Sequence, residues 1–265
     1  MDKQEIRASK KSLGNSGVHL SAQPVFGYRK DPNDKHKWIV DEEAAAVVRL
    51  IYQLCIEGNG TTQIARILHE RKIETPAYYA AKHGEVYDAC DAELLQDLNR
   101  VKGLCQQYNN LLPTDFAGRN KLIREILGQA DEDTFINQPF YCDYGKHIRV
   151  GKRFFANFGF TVLDEAYVTI GDDCFIGPGV HIYCACHSTD PRERKTRQEW
   201  AKPVTIGNDV WIGGNVTLLP GVTIGDNCTI GAGAVVTHDI PANSIAVGNP
   251  AKVIKTLEHG CTRPE

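Results

Sequence analysis

Histidine and cysteine are the side chains with which this chain could do chemistry near neutral pH, and one histidine is placed to do so. His187 stands at the root of a polar, charged run from Ser188 to Lys202. An imidazole at the root of a protruding loop can meet a ligand and take its proton, because its ordinary titration lies closest to neutral pH. His181 lies six residues earlier and also points outward, so spacing alone does not choose between the two. The nine cysteines offer less. Cys174, Cys186 and Cys228 recur at the small inward position of a repeat, where a buried thiol behaves as a small hydrophobe. Cys184 and Cys186 are two residues apart, which is not zinc-knuckle spacing, and no metal site is expected. The charged start, Met1 to Lys11, lacks an apolar signal core, so reduced thiols and a cytoplasmic location are expected. No stretch approaches the roughly 20 apolar residues that span a bilayer. A net charge of -3 and a pI near 6.3 argue against a globally basic nucleic-acid binder.

The elements that must position such a histidine are written in a six-residue period. Ile170, Ile176, Ile182, Ile206, Ile212, Leu218, Ile224, Ile230 and Val236 open successive hexads, and the gap from Ile182 to Ile206 is itself a multiple of six. A second small or branched residue follows four positions on: Cys174, Val180, Cys186, Val210, Val216, Val222, Cys228, Ala234, Ile240. Two inward positions per hexad, with glycine or a polar residue at the bend, describe a parallel β-helix whose coil has three short sides. The lapse between Ile182 and Ile206 is an outward loop. Ahead of the repeats, Asp91 starts a helix running towards Tyr108, and Thr114 or Asp115 starts another ending near Gly128. Such a pair would cover the open end of the first coil.

Residues 1 to 77 have a different texture. Asp41 or Glu42 can cap a helix with Val47, Val48, Ile51, Tyr52 and Cys55 on its apolar side. Thr61 or Thr62 can cap a second with Ile64, Ile67 and Leu68, ended before Thr75-Pro76. Pro24 to Arg29, Asp41 to Ala45, Ile64 to Leu68 and Ile73 to Pro76 resemble part of the DNA-binding recombinase segment of large serine recombinases. That family's nucleophilic serine and zinc-ribbon cysteines have no counterpart here. The resemblance implies a truncated segment, with residual DNA binding as one possible role.

From about residue 84 to 257 the chain resembles the hexapeptide-repeat sugar O-acetyltransferases of the maltose and galactoside type. The matching runs are Cys142-Asp143-Tyr144-Gly145, Phe154 to Phe158, Gly179 to Tyr183, Lys202 to Gly214 and Val247 to Ile254. The resemblance implies a left-handed parallel β-helix, acetyl-CoA as cosubstrate, a sugar acceptor and a homotrimer with sites between neighbouring chains. It makes His187 the general base, although Ser188 replaces the proline that usually follows. It matches Asp88, Asp143, Asn157 and Asp164 to acceptor contacts, with Glu165 competing for the role of Asp164. On the donor side it matches Asn157, Trp211, Gly214, Ala232, Thr237 and His238, and the basic pair Lys252 and Lys255, on an expected C-terminal helix, to coenzyme A.

The domain reading is then a recombinase-like segment (1–77), a helical acetyltransferase leader (78–135), the β-helix (136–257) and a tail (258–265). The implied reaction is direct transfer: His187 deprotonates a sugar hydroxyl, that oxygen attacks the thioester, and the Gly214 backbone N–H receives the oxyanion. A thiolate leaving group of pKa about 8.5 needs little acid help. Two alternatives stand beside it. One is an N-acetyltransferase of the same fold acting on an amino-sugar or xenobiotic. The other is a non-catalytic DNA-binding fusion in which the β-helix only oligomerises residues 1–77.

Overall fold

The computed structural model describes residues 25–71, 73–74, 76, 79–80 and 86–257. The start of the chain, Thr75, Glu85 and the tail 258–265 lie outside the described residues. The chain divides into two compact units, 1–79 and 80–265.

In the first unit an antiparallel hairpin, Tyr28–Asp31 with Asp34–Val40, turns where Asp31 accepts the Asn33 N–H at 2.8 Å. Tyr28, Arg29 and Lys30 are all exposed, so these strands lack the apolar alternation that would have announced them. Helix α1 (Glu42–Ile56) is capped by Asp41, whose side chain accepts the Ala44 N–H. Helix α2 (Thr61–Glu70) starts on Gly60 and not on a threonine side chain. The Gly60 carbonyl accepts the Ile64 N–H, and the Gln63 side chain accepts the Gly60 N–H at 2.9 Å, a reciprocal cap that needs no hydroxyl.

In the second unit, helix α3 (Ala92–Asn110) is capped by Asp91 and helix α4 (Phe116–Ile126) by Asp115, whose carboxylate accepts the Gly118 N–H at 2.9 Å. Val101, Cys105, Tyr108, Ile123 and Ile126 from these helices join one core with Ile136, Phe140 and Ile148 of the first coil. The helices thus extend the solenoid core past its first coil, which removes apolar surface from water.

The coils stack into three parallel sheets. The first face carries Phe135–Ile136, Phe155–Ala156, Phe175–Ile176, Trp211–Ile212, Thr229–Ile230 and Ser244–Val247. The second carries Phe140–Cys142, Phe160–Leu163, His181–Tyr183, Thr217–Leu218 and Val235–Val236. The third carries Ile148–Val150, Val168–Ile170, Val204–Ile206 and Thr223–Ile224. Every hexad opener from Ile170 to Val236 is buried, as are Cys174, Val180, Val210, Val216, Val222, Cys228, Ala234 and Ile240. Corners are made by residues that tolerate left-handed backbone: Asp173, Asp209, Asn227 and Asn243 have φ between 55° and 59°. Glycine serves where coils meet closely; a Cβ on Gly177 would lie 2.6 Å from the Gly214 nitrogen of the next coil.

Two expectations are corrected here. Cys186 is not inward; it is half-buried, and Cys184 is the fully buried residue that closes the period before the chain leaves the coil. Lys252 and Lys255 are not helical. They lie on the strand Lys252–Thr256, which returns antiparallel along Ser244–Val247 as the edge of the first face.

Candidate active site

The excursion after Cys184 is a built element. Ala185–His187 pairs antiparallel with Gln198–Ala201, which pairs antiparallel with Tyr87–Asp88, giving a three-stranded sheet outside the solenoid. A short helical turn, Pro191–Arg194, closes the hairpin, with Asp190 as its cap. What looked like a polar loop is therefore a hairpin. Its exposed Glu193, Arg194 and Lys195 masked the strand that follows.

Register places three polar side chains in one row. His187 is opposite Glu199, and Glu199 is opposite Tyr87. His187 Nδ1 lies 3.3 Å from Glu199 Oε2, and the Tyr87 hydroxyl donates to Glu199 Oε1 at 2.7 Å. The imidazole is 57 % exposed whereas the Glu199 side chain is 13 % exposed, so the ring faces solvent and its carboxylate partner does not. Burial first, and then the Glu199 carboxylate, raise the Tyr87 pKa far above the usual tyrosine range, which keeps it a hydrogen-bond donor. Neither Tyr87 nor Glu199 was anticipated; the available signal was the alternation Gln198-Glu199-Trp200-Ala201, read as loop because of its polar flank. Asp88 sits opposite Gln198, exposed, and accepts the Cys90 N–H at 2.9 Å.

A carboxyl cluster lies where second-face strands end. Asp164 is fully buried; its Oδ1 accepts the N–H groups of Asp143 at 3.0 Å and Tyr144 at 2.9 Å, and its carbonyl accepts from His147 Nδ1 at 2.6 Å. Its Oδ2 and Glu165 Oε2 are buried without partners among the described residues. Burial pushes the Asp164 pKa up to about 8. Burial, the Asp143 charge and a side-chain hydrogen bond to Asp143 push Glu165 up to about 9. At neutral pH these two carboxyls hold protons and can donate as well as accept.

The remaining predicted residues separate by corner. Asp143, Asp164 and Glu165 follow second-face strands onto the second corner, the same one that sends out the His187 hairpin. Thr237 and His238 follow Val235–Val236 onto that corner, with Thr237 Oγ1 and His238 Nδ1 2.8 Å apart. Asn157, Gly214 and Ala232 follow first-face strands onto the first corner, in coils stacked one on another. Trp211 is on the first face, 58 % exposed, beside Phe175 at 54 %. Gly214 and the His187 hairpin therefore follow different corners of the coil. Among the described residues no group of His, Cys, Asp and Glu could hold a metal ion, and no helix is long and apolar enough to cross a membrane.

Comparison with known proteins gives a consistent picture. The family model described as bacterial transferase hexapeptide (six repeats) matches residues 203–238, and the maltose acetyltransferase hexapeptide capping motif matches 82–131. A model described as hexapeptide repeat of succinyl-transferase matches 167–182. The recombinase model matches 42–94, overlapping the start of the capping motif. Galactoside O-acetyltransferase of Escherichia coli is 41% identical over 170 residues, 64% of this chain and 83% of that protein. The crystal structure of a maltose O-acetyltransferase from Clostridium difficile superposes with a TM-score of 0.69 at 41% identity, over 70% of this chain and 99% of that one. A galactoside acetyltransferase in complex with coenzyme A superposes with a TM-score of 0.67 at 37% identity, over 70% of this chain and 92% of that one.

Proposed function

Since the chain belongs to the hexapeptide-repeat acetyltransferases of the maltose and galactoside O-acetyltransferase type, we propose that it moves the acetyl group of acetyl-CoA onto a sugar hydroxyl, with His187 as general base. The observation that carries this reading is the row Tyr87–Glu199–His187. Tyr87 donates to one carboxylate oxygen of Glu199, and the other oxygen lies 3.3 Å from His187 Nδ1. A carboxylate beside Nδ1 favours a proton there, and so a lone pair on Nε2, the nitrogen directed away from Glu199. Nε2 removes the proton of the attacking hydroxyl, and the imidazolium so formed has the Glu199 carboxylate beside it. Glu199 and Tyr87 act as positioning residues.

Asp143 and the protonated Glu165 line the same corner and suit the hydroxyls of a neutral sugar such as maltose, glucose or a galactoside. Direct transfer is favoured by the thiols at hand: burial raises the pKa of both Cys184 and Cys186, which makes them poor nucleophiles. The donor side is the first corner. The coenzyme A held by the galactoside acetyltransferase supports the same cosubstrate here, with Asn157, Trp211, Gly214 and Ala232 along its arm and Lys252 and Lys255 at its phosphates. Because the acid–base row and Gly214 occupy different corners, the site would be completed by a neighbouring copy in a homotrimer. The exposed Phe175 and Trp211 offer apolar surface beside the first corner for that contact.

The test is acetyl-CoA-dependent thiol release with maltose, glucose and a β-galactoside, using the full chain, His187→Ala and a chain lacking residues 1–77. Sugar-dependent release that falls by about 10²–10⁴ in His187→Ala is the expected result. A folded full chain and truncation that both release nothing with any sugar would overturn the O-acetyl reading. Release only from the truncation would show that residues 1–77 inhibit.

A further inference from the structure

Helix α3 and the strand Phe140–Cys142 carry two thiols that the acetyl-transfer chemistry leaves unused. Cys105 Sγ and Cys142 Sγ lie 3.7 Å apart, and both residues are buried in the core. An open cleft of about 490 Å³ runs past them, lined by Lys102, Cys105, Gln106, Tyr141, Cys142 and Asp143. The pair is held in register from one helical turn away. Asn109 Nδ2 donates to the Phe140 carbonyl at 3.0 Å, and the Phe140 N–H donates to Asn109 Oδ1 at 2.8 Å.

We propose that Cys105 and Cys142 are a reversible redox site: a small hydroperoxide entering the cleft converts them to a disulfide that alters how the adjoining Asp143 is presented to the acceptor. The contact distance closes to a disulfide by an approach of about 1.6 Å between the sulfurs, within reach of side-chain rotation and a small strand shift. A hydrogen bond from Cys142 holds the Cys105 thiol below its ordinary range, against the effect of burial. Either sulfur can donate at this distance; with Cys142 as donor, the same bond and burial hold Cys142 well above its range, which makes Cys105 the attacking sulfur. The Cys105 thiolate attacks one peroxide oxygen and the O–O bond breaks. This gives a sulfenic acid and a hydroxide, which takes the proton Cys105 lost. The Cys142 sulfur then attacks the sulfenic sulfur, the S–O bond breaks, and the leaving hydroxide takes the Cys142 proton. Two thiols lose two electrons, and one hydrogen peroxide becomes two waters.

Movement of Cys142 reaches the acceptor side through the backbone. The N–H groups of Asp143 and Tyr144 are both fastened to Asp164 Oδ1, so the turn that carries Asp143 cannot absorb a strand shift freely. The bond itself rests on no functional reading; only its effect on the acceptor rests on the proposed acetyl transfer.

The experiment treats the reduced full-length chain with hydrogen peroxide, alkylates it without reduction and maps the peptides by mass. The expected product is a peptide joined through Cys105 and Cys142, about 2 Da lighter than the two thiol peptides together, which dithiothreitol separates. Cys105→Ser should give no such species. In parallel, acceptor KM should rise several-fold on oxidation and recover on reduction, with acetyl-CoA KM unmoved, and Cys105→Ser should be indifferent to peroxide. Both cysteines still alkylatable, or oxidised to sulfinic acid without a linked peptide, would overturn the redox site. A linked peptide with unchanged acceptor KM would overturn its control of Asp143.

Discussion

The parallel solenoid and the three-stranded antiparallel sheet beside it hold their residues by different means. In the solenoid the strands are two to four residues long, and those between the end coils are bonded to the coil before and the coil after, so neighbours share the load. Its side chains alternate between a buried column and an outward one, and the buried column is almost wholly apolar. In the small sheet a hairpin meets one strand from a distant part of the sequence, and polar side chains pair across it: Tyr87 with Glu199, 112 residues away, and Glu199 with His187. Periodic residues supply a rigid frame, and on the proposed reading the break in the period supplies the base. Rigid scaffolds carrying functional excursions are a general arrangement, since a repeat that must stack cannot also offer varied side chains at each step.

Substitutions on the two sides should fail differently. His187→Ala should lower kcat by about 10²–10⁴ while leaving the melting temperature within a degree or two, because the ring is over half exposed. Ile212→Ala, in the middle of the buried column, should cost about 2–5 kcal/mol of stability, read as a lower denaturant midpoint, with kcat per folded chain largely kept. A His187→Ala chain that melted early would erase the distinction. Glu199→Gln should sharpen it: the side chain keeps its length but leaves the imidazolium without a countercharge, so kcat should fall about 10- to 100-fold with little change in donor KM. Equal losses in kcat and in stability would recast Glu199 as a structural strut.

The frame was legible in the residues because its signal is repeated nine times, from Ile170 to Val236, and each opener proved buried. The helix starts at Asp91, at Asp41 or Glu42 and at Thr114 or Asp115 were legible for a local reason, since a carboxylate reaching N–H groups two or three residues on needs no tertiary partner, and the structure chooses Asp41 and Asp115. His187 could be read as outward, and the structure exposes it. Its partners could not be read, since the pairing of Tyr87 with Glu199 depends on strand register between segments with no shared period. Cys186 was misplaced for the same reason. Counting sixes past Ile182 assumes that the coil continues, and the chain departs after Cys184. The separation of Asn157 and Gly214 from His187 onto different corners is likewise a property of coil geometry, which spacing along the chain does not express.

The carboxyl cluster is a place where frame and chemistry touch, and pH should reveal it. Asp164 has a folded pKa of about 8, raised by burial, against about 3.9 when unfolded. Between those values the folded chain holds a proton that the unfolded chain has released. The contribution of this group to stability is therefore fully present below about pH 4 and is lost as pH rises through 8; Glu165, at about 9, acts in the same direction. Asp164→Asn mimics the protonated carboxyl and keeps an oxygen for the N–H groups of Asp143 and Tyr144. Its melting temperature should fall less between pH 6 and pH 9 than that of the parent chain, by several °C at about 2–4 °C per kcal/mol. Identical pH slopes would mean that Asp164 is ionised in the folded protein.

The smallest expected effect discriminates most finely between positioning and structure. Tyr87→Phe removes one hydroxyl from a buried ring and leaves the apolar packing in place. The hydroxyl is the donor to Glu199 Oε1, at 2.7 Å, and nothing else in the row changes. A hydrogen bond to a carboxylate contributes about 1.5–3 kcal/mol at most, and part of that is regained when Glu199 turns towards water. The loss in kcat should therefore be about two- to tenfold, smaller than for Glu199→Gln. It should also be non-additive: in the Glu199→Gln background the same tyrosine substitution should cost almost nothing, because its only role in the row is to orient that carboxylate. Additive losses would show that Tyr87 reaches the acceptor directly, making it part of the sugar site and not a support for the base.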